Sequence, residues 1–342
     1  MNSRQRFINA CLSKPVDRPP VWVMRQAGRH LPEYRALKEE YSFHELVQDP
    51  EMACEVTMQP LRRYDMDAAI VFTDILVIPE AMGQPYGFPE GGGIEMDFAV
   101  ESADDVDALT TEGIAEKLDY VGETLELLRD ELGDERALIG FGGSPWTLAT
   151  YMIEGGSSKN KRRAREWFYT ERETFDALMT KITDALADYL QMQIDAGVDA
   201  IQLFDSWGGV LAPDAFEDAS IKWMRRLIDQ IGDQVPTIVF SKGMHEHTDA
   251  LVSTGADVLG VSWTARLADV KRQLPDDVAV QGNLDPVLMN TNPELVRREA
   301  TELLEEMSEF DTGHVFNLGH GIMPQAKIEC MKALVETVTE FG

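Results

Sequence analysis

The sequence has few cysteines and no long apolar run, and each shortage excludes a class of protein. Its three cysteines, Cys11, Cys54 and Cys330, lie far apart and lack a C-x-x-C spacing. We therefore expect neither a disulfide framework nor a structural zinc site, and a reducing cytoplasm fits. No apolar run is long enough to span a bilayer and no leader pattern follows Met1, so we expect a cytoplasmic protein without a membrane partner.

Basic residues are also scarce relative to acidic ones. The chain has 31 Lys and Arg against 60 Asp and Glu, a net charge of −29. Such a charge repels phosphate backbones, so nucleic acid is not an expected partner. Because salt shortens the Debye length to about 3 Å at 1 M, it would screen this self-repulsion. Our hypothesis is a protein with a halophilic acidic surface, from a high-salt cytoplasm.

Eight short apolar runs alternate with helix-period segments, as expected for strands that are buried on both faces. Gly197 and Gly255 stand at similar joints, where a helix ends just before such a run. The alternation predicts a single-domain (β/α)8 TIM barrel over residues 1–342. The runs cover residues 21–24, 68–72, 137–141, 200–204, 236–240, 257–261, 278–281 and 314–317.

A doubly wound open sheet is the competing architecture. Its usual dinucleotide signature, G-x-G-x-x-G, follows none of the predicted strands. Residues 83–98, rich in Gly and Pro, are predicted to be an irregular excursion after the second strand that contains a hairpin.

In a barrel the chemistry belongs to the carboxyl ends of the strands, where polar and aromatic side chains stand in this sequence. The predicted rim consists of Arg25, Arg29, Thr73, Asp74, Tyr151, Asp205, Ser206, Trp207, Ser241, Lys242, Ser262, Trp263, Asn283, Asp285 and His320.

Arg25 and Arg29 suit a ligand with several carboxylates, because each guanidinium forms bidentate pairs and Gly28 lets backbone N–H groups come close. The alternative is that both arginines pair with local acids such as Glu33. Asp74 is a lone carboxylate in an apolar run, which indicates either a functional acid or a helix N-cap.

His320, between two glycines, either faces a ligand or is a hydrogen-bonded core histidine. Ser206 after Asp205 either contacts a ligand or makes ordinary turn bonds. The cluster His245-Glu246-His247 is the local candidate for zinc, but alternate residues of a helix do not share a face. We therefore expect no metal at that cluster.

Five stretches, in order along nearly the whole chain, resemble uroporphyrinogen decarboxylases. The first and second are the most specific for that family, whereas the last would be weak alone. They are VWVMRQAGR (21–29), AIVFTDIL (69–76), PWTLATYMIEGG (145–156), QGNLDP (281–286) and NLGHG (317–321).

This resemblance implies a (β/α)8 barrel, usually a homodimer, that needs no cofactor and acts in haem and tetrapyrrole synthesis. The implied reaction removes CO2 from the four acetate side chains of uroporphyrinogen III and gives coproporphyrinogen III. Asp74 matches the acid under the macrocycle, and Arg25 and Arg29 match the carboxylate-binding arginines, with Arg25 also implied as a proton relay. The resemblance implies further substrate contacts at Ala27, Phe43, Tyr151, Ser206 and His320.

The chain departs from the family pattern at His30, at Ser262 and after Pro324, where a second Pro-Glu is missing. The Ser262 change is expected to alter an internal ion pair. Two rival functions stay open. One is a zinc-dependent corrinoid or thiol methyltransferase on the same barrel, although the relatives' His-x-Cys position reads Phe240-Ser241-Lys242 here. The other is a non-catalytic tetrapyrrole carrier, which should tolerate Asp74→Asn.

Overall fold

Seven parallel strands form the main sheet of the computed structural model, which describes residues 1–89 and 91–341. They follow one another in the order β1-β4-β5-β6-β7-β8-β9, while β2 and β3 form a separate antiparallel pair. The strands are β1 (Ala68–Ile70), β2 (Tyr86–Gly87), β3 (Glu95–Met96), β4 (Ala137–Gly143), β5 (Ala200–Asp205), β6 (Thr237–Ser241), β7 (Val258–Gly260), β8 (Ala279–Leu284) and β9 (His314–Leu318).

Helices separate successive strands of the seven-stranded sheet, as a sheet of parallel neighbours requires. The α-helices are α1 (Ser3–Cys11), α2 (Pro32–Glu40), α3 (Phe43–Gln48), α4 (Pro50–Arg63), α5 (Val77–Ala81), α6 (Ala103–Ala108), α7 (Ile114–Lys117), α8 (Asp119–Leu132), α9 (Pro145–Glu154), α10 (Arg162–Thr170), α11 (Arg172–Asp195), α12 (Pro213–Phe216), α13 (Lys222–Ile231), α14 (Thr248–Val252), α15 (Leu267–Lys271), α16 (Pro293–Met307) and α17 (Ile328–Thr339). Short 3-10 turns cover Gly208–Val210 and Pro286–Asn290, and a π turn covers Glu217–Ile221. In the ranges that the structure describes, no helix is long and apolar enough to cross a membrane.

The first predicted strand, residues 21–24, is the one that the structure corrects. Val21 makes a single parallel bridge to Phe316 of β9, and its carbonyl accepts from the Asp67 N–H at 2.8 Å. The Gln26 side chain then replaces the missing ladder: it accepts from the Val23 N–H at 3.0 Å and donates to the Ala68 carbonyl at 3.0 Å. The barrel is thus closed between β9 and β1 by a segment that is too short to count as a strand.

Aspartates that precede the strands accept hydrogen bonds from backbone N–H groups at the amino-terminal end of the barrel. The side chain of Asp67 accepts from the Val21 N–H, and that of Asp199 from the Leu138 N–H. Asp257 does the same for Thr237, the first residue of β6. These three aspartates are therefore strand caps, each satisfying a backbone donor that would otherwise be buried alone.

The predicted joints and the excursion are confirmed. Gly197 and Gly255 have φ of +93° and +84°, the left-handed conformation in which a helix ends without cost at glycine. In the excursion, β2 and β3 pair antiparallel, with Tyr86 opposite Met96. Inside the barrel a polar layer lies among apolar side chains: Trp22 donates to Gln281, and Gln281 donates to Gln202, each at 2.9 Å.

Candidate active site

Arg25 and Arg29 lie on the loop that follows the Val21 segment. Arg25 has φ of +66°, which costs a non-glycine residue about 1–2 kcal/mol. The bonds of Gln26 to Val23 and Ala68 hold this turn in place. The local sequence therefore turns the chain sharply and presents two guanidinium groups at the rim, where both side chains are exposed.

Neither arginine has a carboxylate within salt-bridge distance among residues 1–89 and 91–341. Glu33, the local acid that could have paired with them, instead binds Arg63. Surrounding protein atoms and the neighbouring charge of Arg29 lower the pKa of Arg25 below its usual value. The two cations are therefore available to an anionic ligand.

The two glycines of the Gly-His-Gly stretch are required by close contacts. A Cβ on Gly319 would lie 2.2 Å from the Trp263 backbone nitrogen, and one on Gly321 would lie 2.5 Å from Cδ of Arg25. The absence of a side chain at these two positions is therefore a steric requirement. Gly321 lets the Arg25 side chain pass over the loop that carries His320.

His320 projects into a cavity of about 220 Å³ that Arg25 and Lys242 also line. Its ring meets Phe240 and Trp263 edge to face, with centroids 5.8 Å and 6.0 Å away. Burial, helped by the charges of Arg25 and Lys242, lowers the pKa of His320 to about 4. Near neutral pH the imidazole is therefore uncharged and can both donate and accept a hydrogen bond.

Asp74 stands after β1, on the same rim. Its carboxylate accepts from the Leu76 N–H at 2.9 Å, so the predicted capping role is present in part, as a turn bond before α5. Burial raises the pKa of Asp74 to about 6, although Leu76, His44 and Arg25 all act to lower it. A carboxyl group with such a raised pKa beside an unpaired arginine is a marker of a functional site.

Aromatic rings form an apolar wall beside Asp74. Phe43 contacts Phe72 and Phe88 edge to face, with ring centroids 5.6 Å and 5.1 Å apart. Phe88 comes from the β2–β3 excursion and is 45% exposed. The His44 ring packs against the Tyr86 ring, with centroids 4.8 Å apart. No sequence pattern pointed to His44, because α3 lies outside the strand-helix alternation.

Tyr151 and Ser206 lie on neighbouring elements, α9 and the end of β5. The Tyr151 ring meets Trp207 edge to face at 6.5 Å, and burial raises its pKa. Asp74 and Arg25 are close enough to act on the Tyr151 hydroxyl electrostatically. Ser206 is half-buried beside Trp207, and Ala27 is half-buried in the arginine loop.

Asp205, just before Ser206, is buried completely and binds four hydroxyl groups. Its carboxylate accepts from Ser144 at 2.8 Å, Thr147 at 3.2 Å, Ser220 at 3.1 Å and Ser241 at 2.7 Å. These donors come from the end of β4, α9, the π turn and β6. Asp205 therefore ties together the elements that carry Tyr151 and Ser206.

The structure brings the candidate residues to one end of the barrel. Arg25 is the common neighbour, since its charge acts on Asp74, Tyr151 and His320. The cleft thus combines unpaired cations, a poised carboxyl group and an apolar wall. Such a combination can bind a polycarboxylate with a flat apolar body and stabilise positive charge on that body.

Other predicted rim residues form hydrogen bonds with the protein backbone. Asn283 donates to the carbonyls of Ser262 and Ala265, and Asp285 caps the following turn through the Val287 N–H. In the part of the chain that the structure describes, no three His, Cys, Asp or Glu side chains are grouped as metal ligands. His245 and His247 therefore lie outside any such group.

Comparisons with known proteins agree on one family. The family model described as uroporphyrinogen decarboxylase (URO-D) matches residues 2–341. A uroporphyrinogen decarboxylase of Alkalilimnicola ehrlichii is 47% identical over 343 residues, 98% of this chain and 94% of that protein. One from Hydrogenovibrio crunogenus is 44% identical, over 98% of this chain and 97% of that protein.

Solved structures support the barrel alone. A methyltransferase from Methanosarcina mazei superposes with a TM-score of 0.82 over 99% of both chains, at 18% identity. A putative B12-independent methionine synthase from Listeria monocytogenes superposes with a TM-score of 0.57 at 12% identity, over 96% of both chains. At these identities the structural similarity shows the fold and does not indicate the reaction.

Proposed function

The chain belongs to the uroporphyrinogen decarboxylase family, and on that premise we propose that it removes CO2 from each of the four acetate side chains of uroporphyrinogen III, giving coproporphyrinogen III. The observation that carries this proposal is Asp74, a carboxyl group of raised pKa beside unpaired Arg25 at the barrel rim. This arrangement suits a substrate that is anionic at its periphery and becomes cationic at its centre.

The chemistry requires an electron sink. Protonation of a pyrrole carbon makes the ring cationic, the acetate C–C bond then breaks, and its electron pair enters the ring as CO2 leaves. A proton added to the exposed methylene carbon gives the methyl group, and loss of the first proton restores the pyrrole. Each acetate carboxylate is thus exchanged for a hydrogen, with one proton consumed.

Asp74 stabilises the cationic ring in this scheme. Its ionised carboxylate accepts hydrogen bonds from pyrrole N–H groups and offers a negative charge in a low-dielectric cleft. Burial makes the bare carboxylate costly, as the raised pKa shows, so binding of a cation to it recovers part of that cost. This gain appears only as the ring becomes charged, which is the condition for catalysis.

Arg25 and Arg29 bind substrate carboxylates, and the lowered pKa of Arg25 suits it to donate a proton toward the ring. Tyr151, Ser206 and His320 hydrogen-bond further carboxylates around the rim. These assignments rest on the open positions of their side chains and on the match to the family motifs.

Ala27 offers its backbone to the ligand, and Phe43 supplies part of the apolar wall. We further propose a cytoplasmic homodimer in which residues 1–342 act as one barrel domain and need no cofactor or metal. Binding of nucleic acid is disfavoured by the net charge of −29.

The test is anaerobic incubation of the purified chain with uroporphyrinogen III in molar KCl, with products oxidised and separated by chromatography. Stepwise seven-, six-, five- and four-carboxyl products would support the proposal. A folded protein that yields no product would contradict it. Zinc analysis of the same sample distinguishes the decarboxylase from the alternative methyltransferase, because the methyltransferase requires bound zinc.

A further inference from the structure

Lys161 is a buried cation that the proposed chemistry does not use. Its side chain has 0% exposure, and its Nζ has no hydrogen-bond partner among the described residues. The residue stands just before α10 with φ of +48°, a conformation uncommon outside glycine. A buried ammonium without partners costs several kcal/mol, so its retention calls for a physical explanation.

Two aromatic faces enclose the ammonium. Its Nζ lies 4.1 Å from the centre of the Tyr151 ring and 4.2 Å from the centre of the Trp207 ring. The ring quadrupole attracts a cation placed over its face, and the attraction is stronger when the cation is desolvated. These contacts stabilise the cation but do not cancel its charge, since an aromatic ring carries no net charge.

The nearest compensating charge is that of Glu154, one turn along α9 from Tyr151. It acts on Lys161 electrostatically without a salt bridge, and its carboxylate accepts from the Ala164 N–H at 3.2 Å. Burial lowers the pKa of Lys161 to about 8 despite this carboxylate. The ammonium therefore keeps much of its positive field at neutral pH.

The two rings that hold Lys161 belong to, or adjoin, candidate residues of the site. Tyr151 is half-exposed and within electrostatic reach of Arg25 and Asp74, and Trp207 is half-exposed directly after Ser206. Lys161 thus lies against Tyr151 and against the residue that follows Ser206, and Tyr151 and Ser206 are two candidate carboxylate-binding groups. In a low-dielectric interior its charge acts across one ring with little screening.

We propose that Lys161 is a positioning and specificity residue, whose ammonium fixes Tyr151 and Trp207 and adds positive charge behind the subsite that receives a substrate carboxylate. This inference rests on the proposed function. It adds to the rim arginines a positive charge that the ligand does not touch. The charge of the cleft is then partly hidden from solvent, where salt screens it less than surface charge.

The matched variants are Lys161→Met and Lys159→Met. Each removes one positive charge from the same loop, but Lys159 is exposed. We expect Lys161→Met to raise KM roughly five- to tenfold, the effect of one charge near a protein surface, with kcat within about twofold. The thermal midpoint should hold or rise, because a lone buried charge is removed, and Lys159→Met should behave as wild type.

A pH profile adds a readout that packing alone would not move. The titratable groups that face the ammonium are Tyr151 and Glu154 of α9, while Asp205, which precedes Trp207, is held by four hydroxyls. Burial raises the pKa of Tyr151 from its usual value, so the Tyr151 hydroxyl stays neutral over the pH range in which Lys161 loses its proton. The wild-type KM should increase above pH 8, and that increase should be absent from Lys161→Met.

Lysine-selective NMR of the intact wild type tests the inference without a variant. Bound uroporphyrin, the oxidised and unreactive analogue, should raise the apparent pKa of Lys161 through its carboxylates. An unchanged pKa on binding, or a wild-type KM in a folded Lys161→Met, would overturn the inference while wild-type turnover kept the proposed function intact. Absence of wild-type turnover would instead count against the function.

Discussion

At the scale of single residues, Asp74 shows that burial makes an ionised carboxylate in the cleft costly. Its pKa is raised from 3.8 to about 6, so the folded protein binds this proton more tightly than the unfolded chain does. The free energy of unfolding therefore falls as the pH rises from about 4 to 6, and above that range the full cost is present. Stability is lower at the pH where the carboxylate is ionised, which is the state that the proposed chemistry uses.

The proposed role of Asp74 predicts that its pKa sets the acid side of the activity profile. Because the ionised carboxylate is needed, kcat/KM should fall about tenfold per pH unit below pH 6. Steady-state rates between pH 4.5 and 8 measure this. His320→Gln is the control: the His320 pKa of about 4 keeps it neutral over this range, so its variant should retain the same limb. A wild-type limb centred near pH 4 would exclude Asp74 as its source.

At the scale of secondary-structure elements, Asp205 holds together the elements that carry the candidate site residues Tyr151 and Ser206. Four hydroxyl groups from β4, α9, the π turn and β6 converge on one carboxylate. Burial raises the pKa of Asp205 and the four hydrogen bonds act to lower it, so they offset part of the cost of the buried charge. Tyr151 and Ser206 extend from the elements that are joined in this way.

Replacing Asp205 by Asn should loosen this junction. The amide has one oxygen acceptor and places N–H groups against hydroxyl donors, so we expect a loss of about 2–4 kcal/mol in unfolding free energy and a higher KM. Urea unfolding and steady-state kinetics measure both. Ser220→Ala, which removes one of the four donors, should cost about 1 kcal/mol. Equal stability of wild type and Asp205→Asn would contradict the role.

The sequence predicted most of the strands but not how the barrel closes between β9 and β1. Seven of the eight apolar runs are strands in the sheet, because burial on both faces leaves an unambiguous pattern. The run at 21–24 is a single bridge because the left-handed turn at Arg25 ends it and the Gln26 amide replaces the ladder. Lys161 lies in a polar run typical of an exposed loop, and only tertiary packing buries it between two rings.

At the scale of the whole molecule, a net charge of −29 opposes both folding and the approach of an anionic substrate. Long-range repulsion between solvated charges is screened within a Debye length of about 8 Å at 0.15 M salt and about 3 Å at 1 M. Contacts inside the cleft are screened much less. Salt therefore acts on the approach of the ligand more than on its binding geometry.

Activity and stability should both rise with salt. From 0.05 to 2 M KCl we expect a higher thermal midpoint and an increase in kcat/KM to a broad optimum, since repulsion is removed first. Sucrose at matched osmolality is the control for general stabilisation by an excluded solute. A steep, monotonic fall of kcat/KM with KCl would show that rim contacts, not the overall field, limit binding.

The most direct test of the account is Asp74→Asn beside Asp49→Asn, measured for turnover and for unfolding free energy at pH 7.5. Both aspartates accept a nearby backbone N–H at 2.9 Å, Asp74 from Leu76 and Asp49 from Met52, so both amides keep that bond. The account predicts that Asp74→Asn loses at least about a hundredfold in kcat and gains about 1–3 kcal/mol in stability, whereas Asp49→Asn, at the start of α4, changes little. Wild-type turnover by a folded Asp74→Asn would contradict it.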